Sequence, residues 1–445
     1  MGAVQHLSLQ ASSARRSRWE TVFLFLVGSL ASTILLKIAS IQYLELLYVV
    51  QLIVLAFAFY QARLRVYVYR RLLLLGIGYV VVAVFALLLA VTALRFTFYK
   101  PAEVTLLQEP VLITFSRVFE LLIDAGMMLY LANFFRTRPD TARFTMRVYY
   151  WVGVASAAYS LVSYPLDRAH IVSLGAYGDL HRFRGFYNEG GPYGLYVITL
   201  VFVGWSLMRI GWESKRRIQV SLLLLVTTLV MSQSKAAFVA LLTLLVLRSV
   251  FSRSLRQRAA TISIALFLLL LLLQTFDLGS KIRLYKQAGE KYETASHLHA
   301  GDPNVVQGRI AGLFLVPRMI AAHPFTGVGW GNYGIVRNDP QYRGAAAWGE
   351  PDEPGLGVLG LAAEIGLPLL GVLFVYLVLP YFWLHRLHVP EHIANLALLQ
   401  PVVHLFGAQL NLTYPWIVTA FALGLGFAAK YKSRVSEVTT EAVVA

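Results

Sequence analysis

The chain has 445 residues, of which 58% are hydrophobic and 14% charged, with a mean hydropathy of +0.63 and no cysteine. A soluble domain is about 45–50% apolar and about 25% charged, so both departures point away from water. The missing cysteines exclude a disulfide framework, a thiolate nucleophile and a cysteine-ligated metal. The net charge of +16, from 39 Lys plus Arg against 23 Asp plus Glu, suits nucleic acid or a membrane surface until its distribution is read.

Apolar windows of about 20 residues between polar punctuation predict about twelve membrane-spanning helices. They fall near 19–38, 41–60, 72–94, 111–135, 148–164, 192–210, 218–231, 236–251, 259–276, 357–383, 393–411 and 415–430. The first reads as a retained span, since no small-residue cleavage site follows it. Basic residues gather in alternate connections. Arg15, Arg16 and Arg18 precede the first span, Arg63, Arg65, Arg70 and Arg71 follow the second, and Arg136, Arg138, Arg143 and Arg147 follow the fourth. Arg209, Lys215, Arg216 and Arg217 come after the sixth, Arg248, Arg253, Arg256 and Arg258 after the eighth, Arg386 after the tenth, and Lys430, Lys432 and Arg434 after the last. By the positive-inside rule this side is cytoplasmic, with both termini there. The positive charge is then topology and contact with the phospholipid bilayer, and no nucleic-acid partner is expected.

The expected architecture is an all-α polytopic membrane protein: a single integral membrane domain over 1–445, a long periplasmic loop over 277–356 and a smaller one over 165–191. The long loop far exceeds ordinary connections, which marks it as functional. No internal repeat relates the two halves, which disfavours a transporter built on repeats.

The smaller loop reads DLHRFRGFYNEGGPYG. Arg182 and Arg184 precede Gly190, Gly191 and Pro192, which open the next span; guanidinium groups beside a helix N-terminus are suited to a phosphate at the membrane surface. Interfacial arginines on a glycine turn are the plainer account. Lys235 ends the turn SQSK between two short spans, where it serves either as a further cation for that anion or as a lysine reaching the interface. The S-x-x-K match lacks its companion elements and is set aside.

The long loop carries GRIAGLFLVPRMIAAHPFTGVGWGNYG, beginning at Gly308. Ile310, Leu313, Phe314 and Pro317 are spaced as one face of an amphipathic helix on the membrane surface, opened by Arg309. Gly327, Gly329 and Gly331 alternate, a pattern that lets backbone N–H groups converge on an anion or simply makes a tight turn. His323 is the candidate general base, in competition with His181, His297 and His299. His297 and His299 lack an evident third ligand, so no metal is assigned. Within the predicted spans Arg117 stands at helical spacing from Glu120 and Asp124, which predicts an internal ion pair. Glu364 begins the EIGLP turn and is read as orienting a neighbouring group.

The ordered set RFRGFYNEGGPYG, SQSK, GR…HPFTGVGWGNYG and AAEIGLPLLG among about twelve spans resembles the O-antigen ligase and polymerase superfamily, over roughly residues 180–375. The resemblance implies a GT-C-like fold and a glycosyltransferase that uses no cofactor. Its donor would be an undecaprenyl-pyrophosphate-linked glycan, transferred at the periplasmic face of the bacterial inner membrane. The ligase branch implies a lipid A-core acceptor and a role in lipopolysaccharide biosynthesis; a polymerase is the alternative within the superfamily, and a non-enzymatic transporter the alternative outside it. By position, Arg182 and Arg184 match the family's basic element, Lys235 stands where arginine is common, and Arg309 opens the long-loop element. The family's His-Asn pair falls where this chain has Gly355 and Leu356. That leaves His323, or an acidic residue among Glu350, Asp352 and Glu353, or unassisted deprotonation.

Overall fold

The computed structural model describes residues 18–30, 69–93, 109–169, 176–177, 182–187, 189–251, 258–259, 261–264, 266, 308–343, 355, 357–407, 410 and 412–444. The expected second span, about two thirds of the ninth and the long loop before residue 308 lie outside them, as do His181, His297, His299, Glu350, Asp352, Glu353 and Leu356.

The described elements are α1 (Arg18–Leu30), α2 (Arg70–Ala93), α3 (Pro110–Thr137), α4 (Pro139–Arg168), β1 (Ala176–Tyr177), β2 (Arg182–Phe183), α5 (Gly190–Ile210), α6 (Lys215–Ser232) and α7 (Lys235–Phe251). After these come α8 (Gly308–Ala322), α9 (Tyr333–Val336), α10 (Pro340–Arg343), α11 (Gly357–Ile365), α12 (Leu367–Arg386), α13 (Glu391–Ala394), α14 (Leu396–Phe406) and α15 (Thr413–Val444). Among the described residues, four helices are long and apolar enough to cross a membrane: Arg70–Thr92, Pro110–Thr137, Gly190–Ile210 and Leu367–Arg386. Shorter apolar helices accompany them, and the chain is a multi-span membrane protein.

Two elements depart from the sequence-based expectation for identifiable reasons. α4 runs from Pro139 to Arg168, well beyond the expected 148–164, because one face carries Thr141, Thr145, Ser156, Ser160, Ser163 and Asp167, all buried against protein rather than lipid. Small hydroxyl residues at this spacing allow close helix packing and hydrogen bonding without an apolar signature. The expected tenth span is two helices, broken at Gly366 with φ 78°. A Cβ there would run into the Phe325 carbonyl oxygen, so a loop presses into the break and only glycine fits.

The buried core runs through the bundle, with Leu131, Phe135, Tyr149, Tyr196, Trp416 and Phe421 among its members. Contacts between elements gather the first turns of α3, α5, α7, α12 and α15 and the last turns of α6 and α14 at one end. Thr114 Oγ1 donates to the Trp330 carbonyl, Ser234 Oγ to that of Gly191 and Tyr414 Oη to that of Pro192. A Cβ on Gly357 would meet the Leu405 carbonyl at 3.0 Å, and one on Gly407 would meet Leu195. The opposite end holds Arg138 paired with Glu20 at 3.0 Å, Arg147 paired with Glu213, and Arg248 4.0 Å above the Trp205 ring. Among the described residues, Arg138, Arg147 and Arg248 of the basic connections therefore lie at one end of the bundle and the candidate site residues at the other.

Candidate functional site

The first half of the site is built on the polar face of α4. Ser160 Oγ accepts the Gly185 N–H at 2.9 Å and Ser156 Oγ accepts the Phe186 N–H at 3.3 Å, so two hydroxyls one helical turn apart hold the backbone of the R-G-F turn. Tyr187 N–H closes the turn onto the Arg184 carbonyl at 2.9 Å, and Gly185 takes φ 56°. Ahead of this turn β1 and β2 pair antiparallel, Tyr177 opposite Arg182, a small hairpin that no sequence signal announced.

Arg182 is directed at the neighbouring turn. Its Nε donates to the Ser232 carbonyl at 3.1 Å and its Nη2 to that of Gln233 at 3.4 Å, satisfying acceptors that the end of α6 leaves open. Gln233 takes φ 49° to close α6, and Ser234 caps α7 by accepting the Ala237 N–H at 3.2 Å. Lys235, the first residue of α7, is exposed, and Arg184 is partly buried beside Tyr159. Arg182, Arg184 and Lys235, distant in sequence, thus share one corner with the N-termini of α5 and α7.

The second half is the His323–Tyr333 loop, stitched to the break between α11 and α12. Val328 N–H donates to the Ala363 carbonyl and Gly329 N–H to the Glu364 carbonyl, each at 2.9 Å, while Gly327 N–H donates to the His323 carbonyl at 3.0 Å. The expectation that Gly327 and Gly329 turn their N–H groups toward a ligand anion is therefore corrected, since both N–H groups are taken by carbonyls of the protein. What the loop does surround is the carboxyl group of Glu364. Tyr333 N–H donates to Glu364 Oε1 at 3.3 Å, the Gly331 N–H also serves the carboxyl group, and Arg117 lies within electrostatic reach. Burial nevertheless raises this group from the ordinary 4.5 to about 7 and outweighs those three stabilising contacts. α11 ends before the membrane-crossing α12, so Glu364 lies at the end of the bundle that holds the candidate site residues and not inside a span.

Arg117 pairs with Glu120 at 2.9 Å, as the helical spacing predicted, and a Cβ on Gly331 would lie 2.9 Å from its Cγ. Its contact with the loop was not readable in the sequence, since 247 positions separate it from Glu364. His323 closes α8 with its N–H on the Met319 carbonyl, and its Nε2 lies 3.0 Å from Tyr342 Oη. Burial lowers the imidazole pKa and raises that of Tyr342, so the pair is neutral at pH 7. Tyr342 was not singled out by the sequence.

Arg309 lies in the first turn of α8. The buried face of that helix is Ala311, Leu315, Val316 and Met319, packed with Tyr333, Val336, Tyr342 and Ala363, while Pro317 is exposed. Of the expected face, Phe314 packs against this cluster and Pro317 does not, so the buried side is centred on Leu315 and Met319 and faces the helix's own loop; the Ile310 side chain lies outside what is described. At the place of the family's His-Asn pair, a Cβ on Gly355 would stand 2.7 Å from the Gly360 Cα. This close approach leaves no room for an imidazole.

Residues 220–375, about a third of the chain, match the sequence model of a family described as O-Antigen ligase. Its members are transferases of lipid-linked glycans. The matched stretch includes Lys235, Arg309, the His323–Tyr333 loop and Glu364, while Arg182 and Arg184 precede it. A search of curated proteins finds no match.

Proposed function

We propose that this chain is an O-antigen ligase, which transfers a glycan from undecaprenyl pyrophosphate to a lipid A-core acceptor at the periplasmic face of the bacterial inner membrane. The basic end of the bundle then lies in the cytoplasm with both chain termini, and the site lies in the periplasm. The observation that carries the reading is the meeting of the R-F-R-G loop with the SQSK turn at the end opposite the basic connections.

Arg184, Lys235 and Arg309 bind the pyrophosphate, and Arg182 contributes from behind the SQSK turn. The N-termini of α5 and α7 add positive potential at the same corner. The acceptor hydroxyl oxygen attacks the anomeric carbon in line, and the bond from that carbon to the pyrophosphate oxygen breaks. The electron pair leaves with undecaprenyl pyrophosphate, whose developing charge the cations stabilise. The hydroxyl proton passes to His323, which its lowered pKa keeps neutral and able to accept it. One displacement inverts the anomeric centre, and the residues assigned here require no cofactor or metal. Glu364 orients the loop through the amides of Gly331 and Tyr333.

The test is transfer by purified protein from an undecaprenyl-pyrophosphate glycan to lipid A-core, run with and without chelator. Product in chelator supports the proposal. Extension of the glycan on its own carrier would assign a polymerase instead, and solute movement without transfer a transporter. Arg184→Ala should lower the rate by roughly 10²–10³-fold, the usual loss for one stabilising donor. Unchanged O-antigen on lipopolysaccharide in a strain carrying this variant would overturn the assignment.

A further inference from the structure

Phe325 has no part in the chemistry above, yet its surface is 72% exposed while Pro324 and Thr326 on either side are partly buried. Its backbone is fixed. The Phe325 carbonyl presses on Gly366, and Leu367 N–H donates to the Pro324 carbonyl at 2.9 Å. Phe325 therefore stands beside the first residue of α12. Leu367 is 49% exposed and heads the outward side of that span, which continues through Val372, Val375 and Phe382. These are the side chains a membrane-crossing helix turns to lipid. Leu359 of α11 is also exposed, as are Pro317, Arg318, Ala321 and Ala322 on α8, where Arg318 and Ala322 lie on the helical face that leads to Phe325.

A phenyl ring left in water forgoes about 1.5–3 kcal/mol relative to burial. Here the ring continues the outward apolar surface of α12 by one side chain, with the exposed Arg318 two turns earlier in the chain, the composition of an interfacial anchor. We propose that Phe325 inserts into the leaflet at this end of the bundle, so that phospholipid acyl chains cover it and the His323–Tyr333 loop is seated in the bilayer. This rests on the chain spanning a membrane and not on the transfer reaction.

The absence of cysteine permits a direct test. Phe325→Cys, Leu367→Cys and Gln341→Cys, the last at an exposed position of α10, are each labelled with bimane in the full-length chain and placed in phosphatidylcholine nanodiscs. Doxyl groups near the lipid carbonyls should quench the label at 325 at least half as strongly as at 367, and that at 341 hardly at all. Quenching at 325 no greater than at 341 would overturn the proposal. So would shielding from aqueous iodide without doxyl quenching, which would mean that protein covers the ring. If Phe325→Cys fails to fold, Ala321→Cys on the adjoining exposed face carries the same expectation and the same refutation.

Discussion

The carboxyl group of Glu364 lies at the centre of the His323–Tyr333 loop, so its proton should be visible in the stability of the whole assembly. With a folded pKa of about 7 against an ordinary 4.5, the folded chain holds a proton between those values that the unfolded chain has released. Folding stability then falls as pH rises through that window and levels off above about 7. A tenfold difference in proton affinity between the folded and the unfolded carboxyl group is worth about 1.4 kcal/mol, so the total change is at most about 3 kcal/mol. Glu364→Gln keeps an acceptor for the Gly331 or Tyr333 amide and removes the titration. The assay is the thermal unfolding midpoint of wild type and variant in the same nanodiscs between pH 5 and pH 8. Wild type should lose stability relative to the variant as pH rises, most steeply between pH 5 and pH 7. A difference that stays level with pH, or favours wild type as pH rises, would refute the reasoning about burial at this position.

His323 should behave in the opposite sense. Its lowered pKa means that the unfolded chain binds the extra proton, so wild type should gain stability relative to His323→Gln as pH rises through the ordinary imidazole range, measured by the same midpoints. Tyr342→Phe removes the phenol 3.0 Å from His323 Nε2 but leaves the ring buried; since burial lowers the imidazole pKa, the acid limb of the pH–rate profile for transfer should stay in place. Ser160→Ala leaves the buried Gly185 N–H without its acceptor, at a cost of about 1–3 kcal/mol, and should raise KM for the donor more than it lowers kcat. Gly327→Val drives a Cβ into the Glu364 carbonyl at φ 65°, and should unfold the loop, seen as new protease cleavage between residues 323 and 333.

Membrane spanning was readable because long apolar runs such as 72–94 have few other uses, and the break in the tenth span was hidden for the same reason. Gly366 sits in a stretch whose one charge, Glu364, marked a turn but not a full break, and the Phe325 carbonyl that presses into it comes from 41 positions upstream. The R-F-R-G and SQSK segments were each legible as basic turns, and Lys235 as a further cation for the same anion, but the contacts that join them were not, since Arg182 meets main-chain carbonyls 50 positions away and the R-G-F turn is held by Ser156 and Ser160 of a helix whose polarity made it look shorter. The alternating glycines were legible as a cradle for an anion. What it holds could not be read, because Glu364 is local to a different helix and only tertiary packing brings it into the loop.

The two carbonyls occupied by Arg182 alter the field at the turn between α6 and α7. One helix ends there and the next begins, so their terminal partial charges, roughly half a unit each and opposite in sign, largely cancel across the short connection. A guanidinium placed over the negative end removes that cancellation. The corner acquires close to one full positive charge whose source lies behind the backbone, and the exposed Lys235 then acts within a field that is already attractive to anions at distances beyond its own reach.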